Sequence, residues 1–267
     1  MGCTQRPDPP LPLFRYHLPM PDPAHMPATT TERKPPTGLK ATIRQTIARK
    51  FFKYLVSKTK NFSHTTWLGR PIWQNVFDLQ TIQETIVELQ PAIIIECGTN
   101  LGGSSMYYAH LFDLLAAEGR LLPGRGRIVS IDIEKLHDLS HPRITYLIGS
   151  STAPDIFAQV KALADDAERS GEGGGVGGPV FVILDSDHSM RHVRAELELY
   201  APLVSKGSFC LVQDGVIDVL PNFAGGRPGP LPAIHDYLKS HPEFEIDRER
   251  CDRFLITHHP DGWLRRK

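Results

Sequence analysis

The chain has 267 residues, with 30 basic and 30 acidic side chains and a formal net charge of zero. That balance creates no field to draw it onto nucleic acid or an anionic membrane, and the length allows one large domain or two small ones. No apolar run approaches the roughly 18 residues of a membrane span, and no signal-peptide hydrophobic region opens the chain. Met1-Gly2-Cys3 is followed by Arg6 where a myristoylation pattern needs Ser or Thr, so a cytoplasmic protein is expected. The cysteines Cys3, Cys97, Cys210 and Cys251 lie far apart without C-x-x-C spacing, and Cys97 and Cys210 are expected as reduced thiols in buried strands.

Ten prolines between Pro7 and Pro36 leave no room for a helix or a central strand. Residues 1–38 are therefore expected to form a disordered or extended arm, and 39–267 a single domain that includes N-terminal helices. Leu39 to Ser57 has helical spacing, with Ile43, Ile47, Phe51, Tyr54 and Leu55 on one face. Thr65 to Trp73 is an aromatic, proline-containing loop. Asp78 to Gln90 is a second helix, turning Leu79, Ile82, Ile86, Val87 and Leu89 inward, and Pro91 closes it.

The next stretch, Ala92 to Ser105, reads A-I-I-I-E-C-G-T-N-L-G-G-S-S. Three consecutive β-branched residues suit a strand buried on both faces, and Glu96 places a charge near its carboxyl end. Gly98, Gly102 and Gly103 permit a tight turn, and Ser104 and Ser105 can cap the helix that starts there. A strand, a glycine turn and a helix N-terminus form the nucleotide-binding corner of a doubly wound α/β fold. A dinucleotide fingerprint wants G-x-G-x-x-G and an acidic residue about 20 positions on. Here Asn100 takes the place of the middle glycine, and the acid closing the next strand, Asp132, lies 34 positions after Gly98. That pattern fits S-adenosylmethionine better, with Asp132 accepting from the ribose hydroxyls and Glu96 ordering the loop around the methionine part. A purely structural turn is the alternative.

Further strands are expected at Ile144 to Ile148, Val180 to Leu184 and Ser208 to Val212, alternating with helices at Pro154 to Asp165, Val193 to Leu203 and Leu231 to Ser240. Gly171 to Gly178 is a glycine-rich surface insertion, and Phe244 to Asp247 is expected to pair with Arg253 to Thr257 in a closing hairpin. The expected fold is thus a doubly wound, mostly parallel sheet with a C-terminal antiparallel hairpin. In such sheets ligands bind outside the carboxyl ends of the strands, where Glu96, Asp132, Ser150, Asp185, His188, Gln213 and Asp214 gather. Asp185 and Asp214 close successive strands and can offer two oxygens to one hard cation such as Mg²⁺. His188 stands beside them as a candidate general base, or as a simple helix cap. Trp67, Trp73 and Trp263 can stack on a sugar or cover a cofactor, although core packing is the commoner role.

At these residues the chain resembles the cephalosporin hydroxylase-like family, which includes rhamnosyl O-methyltransferases, and it is similar in metal-site layout to macrolide sugar O-methyltransferases. The resemblance runs from about Thr65 to Arg266 and rests on T-T-W-L-G, I-I-E-C-G-T-N-L-G-G-S-S, S-I-D-I, L-D-S-D-H-S, V-Q-D-G and D-G-W-L-R-R in that order. It implies a class I methyltransferase sheet and S-adenosylmethionine at Glu96, Gly98 and Asp132. It also implies Mg²⁺ at Asp185, with His188 as base. Two further ligands in the family form a Glu-Asp pair, which here reads Gln213-Asp214, so one carboxylate has become a neutral amide. The candidate cofactor set is Glu96, Gly98, Asn100, Gly102, Gly103, Ser104, Asp132, Ser150 and Asp185. The candidate metal set is Asp185, Gln213 and Asp214. The implied activity is Mg²⁺-assisted transfer of a methyl group to a hydroxyl of a sugar or other small-molecule acceptor, with homo-oligomerisation left open. Two rivals remain: a non-haem iron oxygenase using His188 with Asp185 or Asp214, and a non-catalytic partner that only binds S-adenosylmethionine. His258-His259 would have to complete the iron site, and Gln213 is the feature favouring the second rival.

Overall fold

The computed structural model describes residues 38–59, 61–171 and 175–267. The expected N-terminal arm lies outside these residues, apart from Gly38, as do Cys3 and the centre of the glycine-rich insertion. The chain divides into two compact units, Met1–Thr42 and Ile43–Lys267. The second carries a seven-stranded sheet of β1 (Ile93–Cys97), β2 (Arg127–Asp132), β3 (Ile144–Ile148), β4 (Val180–Leu184), β5 (Phe209–Val212), β6 (Phe244–Ile246) and β7 (Trp263–Arg266). Its spatial order is β6-β7-β5-β4-β1-β2-β3, parallel from β5 through β3 and antiparallel where β7 joins β5 and β6 joins β7.

Burial explains the strand sequences. Ile93, Ile94 and Ile95 are at most 1% exposed, because their side chains alternate between two apolar layers. Ile93 and Ile95 join one core with Val182, Val212 and the helices Pro154–Arg169, Met190–Tyr200 and Pro230–Ser240. Ile94 joins the other with Phe181, Ile183 and the helices Val76–Leu89 and Gly103–Ala117. Cys97 and Cys210 are buried and free, as expected of core thiols, and Cys251 is buried and free as well.

Two expectations need correction. The partner of Phe244–Ile246 is Trp263–Arg266, not Arg253 to Thr257. The latter segment cannot extend as a strand: Leu255 sits at φ +65°, Arg253 pairs with Glu84, and the Thr257 hydroxyl donates to Asp78. Ser104 and Ser105 do not cap the helix that follows β1. Its N-cap is Gly102 in the left-handed conformation, with no side-chain cap bond, while Ser105 donates to the Gly102 carbonyl at 3.1 Å. The first helix runs Leu39–Tyr54; on its expected face Ile43, Ile47, Phe51 and Tyr54 are at least half exposed, while Leu55, just past its end, packs with Phe52 against Val216, Leu220 and Ile256.

β1 and β4 are neighbours from which the chain runs off in opposite directions, β2 and β3 to one side and β5 to the other, so the sheet's topological switch point lies between them. The two loops that leave these strands touch there. A Cβ at Gly98, which has φ +100°, would lie 2.0 Å from the Asp185 carbonyl oxygen.

Candidate active site

A cavity of about 650 Å³ opens at this switch point. Of the residues singled out in the sequence, Gly98, Asn100, Gly103, Ser104, Asp132, Ser150, Asp185, His188 and Asp214 line it, whereas Glu96, Gly102 and Gln213 do not.

On one side the glycine turn meets the end of β2. The Asn100 backbone N–H donates to Asp132 Oδ2 at 2.6 Å, which ties the turn to that carboxylate and leaves Asp132 with further acceptor capacity toward the cavity. Gly103 lets the preceding loop come close, since a Cβ there would sit 2.1 Å from the Pro71 carbonyl oxygen. Ser150 bonds locally to Thr152. Glu96 is fully buried beneath the turn. Its Oε2 accepts from Ser130 Oγ at 2.5 Å and its Oε1 has no partner. Burial, helped by the nearby charge of Asp132, pushes its pKa from 4.5 up to about 7.

On the other side stand Asp185, His188 and Asp214, whose ligating atoms all lie within 4.8 Å of one another. His188 Nε2 is 3.3 Å from Asp214 Oδ2 and 4.0 Å from Asp185 Oδ1. Burial raises the Asp185 pKa well above the carboxylate range, and the charge of Asp214 adds to the effect. Burial also works to raise Asp214, but the hydrogen bond from His258 and the charges of His188, His258 and His259 outweigh it, so its pKa is lowered. Asp214 is held in a left-handed conformation, φ +56°, by a backbone N–H bond to His259 Nδ1 at 3.0 Å. Asp187, beside His188, accepts from the Ser189 N–H at 2.8 Å and caps the turn into the next helix.

Gln213 is 1% exposed and lies behind Asp185. With its oxygen toward that carboxylate it accepts from Gln74 Nε2 at 2.5 Å, and a cation or proton must then separate it from Asp185. With its nitrogen turned there instead, it donates to both Asp185 oxygens at 3.1 Å.

Several participants had escaped the sequence reading. Gln74, 2% exposed, donates to Asp185 Oδ2 at 3.0 Å from a loop more than a hundred residues away, and nothing in its local pattern marks it. Glu196 is fully buried below the cavity, where its Oε1 accepts from Ser151 at 2.6 Å and Ser186 at 2.7 Å, with His192 Nε2 3.3 Å away. A signal for Glu196 does exist: it falls in the apolar stripe Val193, Leu197, Tyr200 of its helix, where a charge is out of place. His258, named from the sequence only as a residue that would have to complete an iron site, has Nδ1 3.5 Å from Asp214 Oδ1, and its ring stacks on Phe62 with centroids 4.8 Å apart.

Comparison with known proteins shows the family and the fold. A model of the rhamnosyl O-methyltransferase/CmcI family matches residues 59–267. A rhamnosyl O-methyltransferase of Mycobacterium tuberculosis (strain ATCC 25618 / H37Rv) is 34% identical over 204 residues, covering 76% of this chain and 78% of that protein. A rhamnosyl O-methyltransferase of Mycobacterium leprae (strain TN) is 34% identical over 211 residues, covering 76% and 83%. A solved CmcI structure with Mg and SAM superimposes with a TM-score of 0.57 at 17% identity, over 78% of each chain, which supports the fold. The chain belongs to the rhamnosyl O-methyltransferase/CmcI family.

Proposed function

We propose that this protein is an S-adenosylmethionine-dependent O-methyltransferase, assisted by Mg²⁺, whose acceptor is a hydroxyl of a rhamnosyl-type sugar. The observation that carries the reading is that the glycine turn with Asp132 and the Asp185–His188–Asp214 group open onto one cavity. The residues fit both groups. Gly98 leaves room where any Cβ would strike Asp185, and Asn100 and Asp132 form an ordered corner for a nucleoside. The two carboxylates, Asp185 and Asp214, are oxygen donors of the kind a hard cation takes, and their ligating atoms lie within 4.8 Å of each other and of His188. Asp185 and Asp214 would hold the cation, Asp132 the ribose, and the turn from Gly98 to Ser104 the methionine part.

When bound, the cofactor supplies an electrophilic methyl group and the cation stabilises a deprotonated hydroxyl oxygen. His188 takes the proton from the acceptor hydroxyl, and the Asp214 carboxylate 3.3 Å away stabilises the imidazolium that results. The turn and the two strand ends hold the reacting groups in line, a contribution from positioning. A cytoplasmic setting with reduced Cys97, Cys210 and Cys251, and residues 39–267 acting as one catalytic domain, belong to this reading. Among the described residues no helix is long and apolar enough to cross a membrane.

The close-set group contains one histidine and two carboxylates, which disfavours the two-histidine, one-carboxylate face of an iron oxygenase. Incubation with labelled S-adenosylmethionine and a panel of deoxysugar glycosides, with and without chelator, tests the proposal. Label should appear in a glycoside and fall away with chelator. Cofactor binding without transfer to any glycoside would instead favour the non-catalytic partner.

A further inference from the structure

Three tryptophans lie in the described residues, and two are committed to structure. Trp67 donates from Nε1 to His110 Nδ1 at 2.9 Å, and Trp263 is buried and stacked on Phe181. Trp73 is different. It is 46% exposed, it lines the cavity, and among the described residues its indole has neither a ring partner nor a hydrogen bond.

Its backbone is fixed all the same. Ile72 is buried and its N–H donates to the Thr65 carbonyl at 3.0 Å, while Gln74 is buried against Asp185 and Gln213. Asn75 accepts from Asn61 at 3.0 Å and caps the following helix through the Phe77 N–H. Between these anchors Trp73 adopts φ +47°, a conformation bulky residues avoid. The fold therefore holds a large, half-exposed apolar ring on the wall of the site, in a conformation bulky residues avoid, with no ring partner or hydrogen bond among the described residues to account for it. The neighbouring amide of Gln74 reaches the carboxylate beside which proton transfer takes place, so the indole stands one residue from the chemistry.

We propose that Trp73 is the acceptor-recognition residue of this site, stacking its indole face on the apolar C–H face of a 6-deoxyhexose ring. This rests on the methyltransferase reading above. A pyranose presents C–H bonds on one face and hydroxyls at its rim, so a flat aromatic ring can hold the sugar while a rim hydroxyl reaches His188. The missing 6-hydroxyl of a deoxy sugar enlarges that apolar face.

The test uses methyl α-L-rhamnopyranoside as probe and the full chain loaded with Mg²⁺ and S-adenosylhomocysteine. Two variants separate stacking from folding: Trp73→Phe keeps an aromatic face, and Trp73→Gly adopts the left-handed backbone readily, so the loop stays folded. In the wild type, saturating sugar should shield one tryptophan from acrylamide quenching, and this change should vanish in both variants. With S-adenosylmethionine supplied as methyl donor in place of S-adenosylhomocysteine, the KM for the sugar should rise at least about tenfold in Trp73→Gly and at most about threefold in Trp73→Phe, with affinity for S-adenosylhomocysteine unchanged. An unaltered KM in Trp73→Gly would overturn the assignment while leaving the methyltransferase reading intact, as would an unchanged quenching profile in a wild type that methylates the sugar. A wild type that neither binds S-adenosylhomocysteine nor transfers a methyl group overturns both.

Discussion

Replacing Glu96 by Gln should make the protein more stable at neutral pH and leave it almost unaffected in acid. The carboxyl is fully buried and one of its oxygens has no partner. The hydroxyls of Ser104, Ser130 and Tyr108 compensate only in part, so its pKa stands at about 7 instead of 4.5. Below pH 4.5 the folded and unfolded chains both carry the proton, and the group costs nothing. As the pH rises the unfolded chain ionises first, so stability is lost progressively until the folded carboxyl also ionises near 7. At about 1.4 kcal/mol per pH unit, the gap between 4.5 and about 7 corresponds to about 3 kcal/mol. Glutamine keeps the shape without the charge, and the surrounding hydroxyls can rotate to serve its amide. Urea unfolding of wild type and Glu96→Gln between about pH 4 and 8 should show the variant's advantage growing from near zero to about 3 kcal/mol. A difference that stays constant with pH, or a variant no more stable than wild type at the alkaline end, would refute this account of the buried charge.

Asp132→Ala should weaken binding of S-adenosylhomocysteine by about 1.5–3 kcal/mol by calorimetry, the scale of a hydrogen bond to a charged group, and a folded variant with wild-type affinity would remove Asp132 from the site. His188→Ala should lower turnover about 10²–10⁴-fold with cofactor affinity retained; turnover at the wild-type rate would mean that another group takes the proton. Gln213→Glu should tighten Mg²⁺ and lower the concentration needed for half-maximal activity. An unchanged Mg²⁺ titration would instead place the wild-type amide nitrogen against Asp185, as a hydrogen-bond donor and not a ligand. Gly98→Ala should destabilise the chain by at least about 1–3 kcal/mol in thermal melting, because the turn needs φ +100° and the added methyl meets the Asp185 carbonyl; an unaltered melting temperature would contradict that contact.

The parallel strands were legible because each is a short, mostly apolar run bounded by polar turns, and the carboxyl-edge residues were legible because a doubly wound sheet collects strand ends on one rim. The misread parts have physical causes. W-L-R-R looks no more strand-like than R-F-L-I-T, and only the pairing of Trp263 with Leu211 and of Leu264 with Cys210 decides between them. On the first helix, spacing placed the apolar residues on one face, and only the packing of Phe52 and Leu55 against Val216 and Leu220 decides which side is covered. Glu96 is a residue whose type was read correctly and whose depth was not: its periodicity fits a strand end facing the ligand, yet the turn closes over it. Gln74 and His258 join the site through contacts across 111 and 44 positions, and no local pattern carries such information.

The placement of β7 between β5 and β6 bears on how the protein assembles. β5 and β6 do not pair with each other, so each waits for a segment that follows both in the chain. Until Trp263–Arg266 inserts, the outer edge of β5 is an unpaired row of backbone donors and acceptors flanked by Phe209 and Leu211, the kind of edge that recruits strands from other molecules. Trp263 then fills the space between Phe181 and Phe209, with ring centroids 5.9 and 5.8 Å away. A chain shortened or blocked at these four residues would leave the outer edge of β5 open to strands from other molecules.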